Sequence, residues 1–94
     1  MQANNISEIP GALYEHENLR VLDLSRNQVR GLSPKIKDLK KLRSLDLSHN
    51  VIDSLPAELL MLESLEVLDL EGLNVSKAFQ DTLKKRYPGA KLSF

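Results

Sequence analysis

Leucines and other aliphatic residues recur at fixed intervals along the chain, and the same order of apolar and polar positions repeats every 23 residues. Residues 19–29 and residues 42–52 share three leucines, an asparagine and a branched aliphatic residue in one register. The register continues backward through residues 4–19 and forward into a third copy that begins at Leu65 and reaches Val75. Self-similarity at such a period is the signature of repeat architectures, so the sequence predicts a solenoid.

Each copy contains a short alternation of apolar and polar residues, as in Leu22-Asp23-Leu24. A period of two predicts a strand with its leucines on one face, and stacked copies would pair these strands in a parallel sheet. The segment from Pro56 to Leu62 then returns the chain, and its apolar residues suit a short helical or 3-10 turn. Because one repeat cannot bury its own apolar face, the repeats must stabilise one another by stacking.

An asparagine follows the strand in the first copies, at Asn4, Asn27 and Asn50. Backbone groups in the turn that ends a strand lack ladder partners, and a buried carboxamide can bind them. We therefore expect all three asparagines to have a structural role. The third copy has Leu73 at this position and Asn74 one residue later, which indicates that the repeat ends there or that its last turn is reshaped.

These positions resemble the leucine-rich-repeat family, specifically its 23-residue type with the pattern LxxLDLSxNxLxxLPxxLxxL, over essentially residues 1–75. That type is common in intracellular signalling scaffolds related to Ras-pathway proteins and in segments attached to larger enzymes. The resemblance implies an α/β fold: a short right-handed solenoid with a parallel sheet on its concave face and short helices or 3-10 turns on its convex face. The expected organisation is a single domain over residues 1–94, with a truncated first repeat (1–18), full repeats (19–41 and 42–64), a last strand and turn (65–75) and a C-terminal cap (76–94).

The segment after residue 75 departs from the repeat pattern. Ser76 is suited to cap a helix, and Phe79, Leu83 and Tyr87 lie four residues apart on one helical face. Pro88 and the glycine after it end the helix, and residues 90–94 alternate apolar and polar side chains. The sequence therefore predicts a cap made of one helix and one terminal strand.

The N-terminal end has no corresponding cap. No polar amphipathic segment precedes the first apolar positions, Ile6, Ile9 and Leu13. Solenoids usually need polar capping at both ends, and a bare apolar face beside an unpaired strand promotes association. We therefore expect either that the chain is a fragment of a longer protein or that a second copy covers this edge in a homo-oligomer.

The side chains between the strand leucines should point out of the sheet on its concave side, which we call the sheet face. Solenoids use such extended surfaces for recognition. The predicted partner-binding residues are Val21, Asp23, Ser25, Arg26, Ser44, Asp46, Ser48, His49, Val67, Asp69 and Glu71. The three aspartates could bind a cation or an arginine-bearing partner, but the simpler interpretation is that they belong to the repeat consensus and pair with neighbouring side chains.

Composition narrows the classes of function. Lys and Arg number 13, Asp and Glu also number 13, and the formal net charge is zero, which argues against a nucleic-acid or membrane-surface binder. The chain has no cysteine, so it can form neither a disulfide framework nor a thiolate metal site. No apolar run approaches the ~20 residues that a membrane span needs. A cytoplasmic location, or alternatively a nuclear one, is the expectation.

No arrangement of residues indicates catalysis. The chain lacks a nucleophile constellation, a phosphate-binding glycine motif and a zinc-binding histidine motif, so we predict no enzyme activity, no cofactor and no metal. The favoured function is a scaffold that binds another protein on the sheet face, as part of a longer protein. The alternatives are a regulatory or targeting domain of a larger enzyme or effector, and a self-associating or engineered minimal solenoid.

Overall fold

The computed structural model describes residues 7–94, and the predicted structural asparagine Asn4 lies outside them. Four strands alternate with three 3-10 segments and one helix. In chain order the elements are η1 (Gly11–Glu15), β1 (Val21–Asp23), η2 (Pro34–Asp38), β2 (Ser44–Asp46), η3 (Ala57–Met61), β3 (Val67–Asp69), α1 (Lys77–Arg86) and β4 (Lys91–Ser93).

The four strands form one parallel sheet in the order β1-β2-β3-β4. Leu45 is paired with Leu22 on one side and with Leu68 on the other, so the first three strands keep the 23-residue register of the sequence. The last strand pairs Leu68 with Leu92, one residue further along than the repeat would place it. The predicted parallel sheet and the predicted terminal strand are both confirmed.

A proline marks the beginning of each 3-10 segment. Pro10 and Pro56 immediately precede η1 and η3, and Pro34 is the first residue of η2. Proline fixes φ near the helical value and has no backbone N–H, which suits the first turn, where that N–H would have no partner. At η2 the Ser33 hydroxyl also accepts a hydrogen bond from the Lys35 N–H at 3.1 Å. The predicted 3-10 turns on the convex side are therefore present.

The core lies between the sheet and the 3-10 segments. Strand leucines such as Leu45 and Leu68 are fully buried, as are Ile36 in η2 and Leu59 in η3. Burying one such side chain contributes about 1.5–3 kcal/mol. Each layer of the core joins a strand to the returning segment of its own repeat and to the next repeat, so burial stabilises the stack rather than any single repeat.

The C-terminal cap closes the core beyond the third repeat. The Ser76 hydroxyl accepts a hydrogen bond from the Phe79 N–H at 3.2 Å and begins α1, and Leu83 is fully buried. Arg86 donates to the carbonyls of Leu60 and Leu62 at 2.6 and 3.0 Å. The Tyr87 hydroxyl donates to the Leu59 carbonyl at 2.7 Å. The last turn of α1 therefore binds the backbone groups that η3 leaves without partners in its own segment, and the predicted helix-plus-strand cap is confirmed.

Candidate functional site

In-register pairing arranges the outward side chains of the sheet in rows that run across the strands. The two rows carried by the first three strands are Val21, Ser44 and Val67, and Asp23, Asp46 and Asp69. Val21 is 64% exposed and Val67 is 37% exposed, whereas the three aspartates are half-buried. The structure therefore brings the predicted strand residues together on one surface, with two apolar side chains beside a row of carboxylates.

The two serines that follow the first strands do not belong to this surface. Ser25 and Ser48 are buried, and their hydroxyls donate to Oδ1 of Asp23 and Asp46 at 2.7 and 2.6 Å. The same carboxylate oxygens accept the backbone N–H groups of the serines at 3.0 Å. The prediction that Ser25 and Ser48 contact a partner is therefore corrected: the chain turns inward after the aspartate, and the serine side chain follows it.

The third repeat has Glu71 where the first two have these serines. The Glu71 N–H donates to Asp69 Oδ1 at 3.0 Å, so the backbone contact is kept. Glutamate has no hydroxyl to place against the aspartate, and its side chain is exposed. The aspartates thus complete the turn after each strand, in agreement with the simpler of their two interpretations.

Asn50 joins two neighbouring repeats. Its Nδ2 group donates to the carbonyls of Leu24, Leu47 and Ser48 at 2.8, 3.0 and 3.2 Å, and its Oδ1 accepts the Val29 N–H at 3.0 Å. The side chain is buried. Its carboxamide therefore satisfies backbone groups of its own repeat and of the preceding one.

Asn27 is also buried and makes the equivalent contacts within its own repeat. Its Nδ2 group donates to the carbonyls of Leu24 and Ser25 at 3.0 and 3.2 Å. Both asparagines lie beneath the surface and hold the turns that support the sheet face.

Three equivalent residues after the strands adopt left-handed backbone angles. The φ values are 58° at Arg26, 57° at His49 and 80° at Gly72. Glycine adopts this conformation without a steric penalty, whereas other residues adopt it at a cost. The Arg26 and His49 side chains are exposed at the edge of the sheet face, and their contact with a partner stays a prediction.

The charged residues that precede the first three strands change sign from β1 to β3. Arg20, Arg43 and Glu66 precede the three strands and are stacked, because the Arg43 N–H donates to the Arg20 carbonyl at 2.8 Å and the Glu66 N–H donates to the Arg43 carbonyl at 2.7 Å. Arg43 and Glu66 form an exposed ion pair with 3.8 Å between Nε and Oε2. Glu66 was not among the predicted site residues; its alignment with two arginines in the repeat register is the signal that identifies it.

Tyr14 is a buried residue that the repeat pattern did not identify. Its hydroxyl accepts a hydrogen bond from the Ser33 N–H at 3.4 Å, and burial raises the pKa of the phenol above its usual value. The equivalent positions in the next copies hold Lys37 and Leu60, so the register gives no consistent indication of burial. Tyr14 supports η2 from the convex side and takes no part in the sheet face.

The leucine rich repeat family profile matches residues 17–75, which is more than half of the chain. The chain belongs to the leucine-rich-repeat family. It is also similar over 100% of its length to the solved structure of a leucine-rich-repeat protein from Leptospira interrogans, with a TM-score of 0.89 and 31% sequence identity. This leucine-rich-repeat chain covers 24% of that protein's chain. No curated protein matches it significantly.

The family and the Leptospira structure point to a non-catalytic repeat protein. Within residues 7–94, no group of three or more histidine, cysteine, aspartate or glutamate side chains is arranged to hold a metal ion. None of the helices in that same range is long and apolar enough to cross a membrane. Cellular location, homo-oligomerisation, and the regulatory and self-associating alternatives stay predictions.

Proposed function

We propose that this leucine-rich-repeat chain is a protein-interaction module that binds another protein on its sheet face. The observation that carries the proposal is the exposure of two valines, Val21 and Val67, in the same row of the parallel sheet. Apolar side chains that face water beside polar groups can be desolvated by a partner at little cost, while the surrounding polar groups give specificity.

Hydrogen bonds within the chain hold the backbone beneath this face. The ladder continues past the strands, since the Leu24 N–H donates to the Asp46 carbonyl and the Leu47 N–H donates to the Asp69 carbonyl, both at 2.9 Å. Asn50 holds the following turn. A surface built on such elements loses little conformational entropy on binding, which favours affinity for a given contact area.

The dimensions of the face favour a short segment of a partner. Four strands span about 14 Å, and the three residues of each strand span about 10 Å, so the strand part of the face covers about 140 Å². A standard protein–protein interface buries ~800 Å² on each partner. An extended peptide segment therefore matches the face better than a broad domain surface does.

The proposal can be tested by placing a charge on the sheet face. We expect Val21→Lys to reduce capture of proteins from a lysate of the cells that naturally produce this protein at least about tenfold. A lysine buried in the contact with a partner costs more than about 1.4 kcal/mol of binding free energy. Met61→Lys is the matched control, since Met61 is 56% exposed at the end of η3 on the convex side. Circular dichroism should show that both variants are folded.

The pattern of loss across the two variants decides the result. Capture that is lost with Val21→Lys and retained with Met61→Lys supports the sheet face as the binding surface. Equal capture by both variants, or loss with Met61→Lys alone, would contradict the proposal and place the contact elsewhere on the solenoid.

A further inference from the structure

The charge on the sheet face is graded along the stack of repeats. Arg20 and Arg26 flank β1, whereas Glu66 and Glu71 flank β3, and all four side chains are exposed. Arg43 precedes the middle strand, β2, and His49 follows it. Because the aspartate row is common to these three strands, the flanking residues make the face basic at β1 and acidic at β3. Beyond β3, the outer strand β4 adds one exposed cation, Lys91, beside Val67.

We propose that the partner segment is itself bipolar: it places acidic side chains over β1 and basic side chains over β3 and crosses the strands between them. This inference rests on the proposed function and names the chemistry of its partner. Complementary charges at both ends would fix the position of the segment and exclude partners of uniform charge, for which one end is always repulsive.

The spacing of the strands sets the length of this segment. β1 and β3 are two strand separations apart, about 10 Å, which an extended peptide covers in about three residues. The exposed Val21 and Val67 lie in the row between the flanking charges, where they can contact the uncharged residues of the segment. The expected pattern is two acidic residues and two basic residues separated by two uncharged ones, in either chain direction.

The gradient, rather than the aspartate row, carries the specificity. Asp46 Oδ1 accepts two hydrogen bonds from Ser48, and Asp69 Oδ1 accepts the Glu71 N–H, so part of each carboxylate is already engaged within its own turn. Glu66 has a side chain that is 68% exposed, and its ion pair with Arg43 is 3.8 Å long. Such an exposed pair is weak and exchanges readily for a contact with a partner.

The test uses synthetic peptides and the whole chain. One peptide carries two aspartates, two valines and two arginines in that order, with blocked ends, and a control peptide alternates the same charges as Asp-Arg-Val-Val-Asp-Arg. The two have equal composition and zero net charge. By isothermal titration at low salt we expect the bipolar peptide to bind roughly tenfold more tightly, and about 0.5 M salt should remove most of the difference.

Charge reversal on the protein supplies the second comparison. The double variant Glu66→Arg with Glu71→Arg makes the face basic at β3 as well as at β1 and should abolish the preference for the bipolar peptide. The double variant Glu58→Arg with Glu63→Arg changes the net charge equally on and beside η3 and should retain the preference.

Four results would overturn the inference. Three of them are equal binding of the two peptides, unchanged preference in the Glu66→Arg and Glu71→Arg variant, and no measurable binding of either peptide at about 1 mM. Tighter binding of an all-basic peptide would also overturn it, because the aspartate row would then dominate. If capture from lysate still depends on Val21, any of these outcomes removes the bipolar partner but leaves the proposed function intact.

Discussion

Replacing Asn50 by alanine removes a side chain that serves two repeats at once. The substitution deletes three donated hydrogen bonds, to the carbonyls of Leu24, Leu47 and Ser48, and one accepted from the Val29 N–H. The site is buried, so water cannot replace the carboxamide without opening the turn. The change therefore tests whether the turns beneath the sheet face depend on this one side chain.

The expected cost follows from the groups that are left without a partner. An unsatisfied buried donor or acceptor costs about 1–3 kcal/mol, and carbonyls with a second partner cost less than an N–H with none. Asn27 still donates to the Leu24 carbonyl and the Arg26 N–H still donates to the Ser48 carbonyl, so the Val29 N–H and the Leu47 carbonyl are the groups that lose their partner. Together they give an expected loss of about 2–4 kcal/mol. For a chain of this length, whose total stability is roughly 5–14 kcal/mol, that loss is a large fraction.

Urea denaturation followed by far-ultraviolet circular dichroism measures this loss. With a denaturant slope of about 1–3 kcal/mol per molar, the midpoint should fall by roughly 1–2 M. Asn74→Ala is the matched control, since Asn74 is exposed and follows the third strand, and we expect it to change stability by less than about 0.5 kcal/mol. A loss in Asn50→Ala no larger than that of the control would refute the bridging role.

Two further substitutions test other parts of the fold. Gly72→Ala should destabilise the chain by about 1 kcal/mol, because φ is +80° there. Gly31→Ala is its control and should be neutral or slightly stabilising, because a Cβ there would meet no atom within 4 Å. Equal effects of the two substitutions in thermal denaturation would contradict this account. Tyr87→Phe should lose about 1 kcal/mol at neutral pH by leaving the Leu59 carbonyl without its donor. Burial raises the pKa of Tyr87, so its contribution is present below about pH 10 and lost as the unfolded state ionises above it. Tyr87→Phe should therefore weaken the alkaline loss of stability in urea titrations between about pH 8 and 11, and an unchanged pH dependence would count against this account.

The sequence predicted the strands and the core because the same physical requirement recurs in every copy. Leu22, Leu45 and Leu68 had to share one face for the repeats to stack, and the structure pairs them directly. The cap was predictable for a different reason: a serine, a helical apolar face and a proline-glycine stop mark the bounds of α1 locally.

The sheet face was only partly predictable, since its edges depend on where the alternation of strand residues ends. A period of two assigns Ser25 and Ser48 to the outside, but the chain leaves the strand geometry after the aspartate and turns inward. Arg26 and His49 then adopt left-handed angles that their residue types do not favour. Only Gly72, at the equivalent position of the third copy, indicated such a turn in the sequence.

The hydrogen bonds that Asn50 makes to its own repeat and to the preceding one also affect the order in which the repeats can fold during synthesis. Its contacts with Leu24 and Val29 reach back to residues made more than twenty positions earlier. A nascent chain emerges from the ribosome with its N-terminal part first. The turn after β1 therefore stays incomplete until Asn50 has been translated and folded against it, so the repeat that contains β1 reaches its native state only when the next one does.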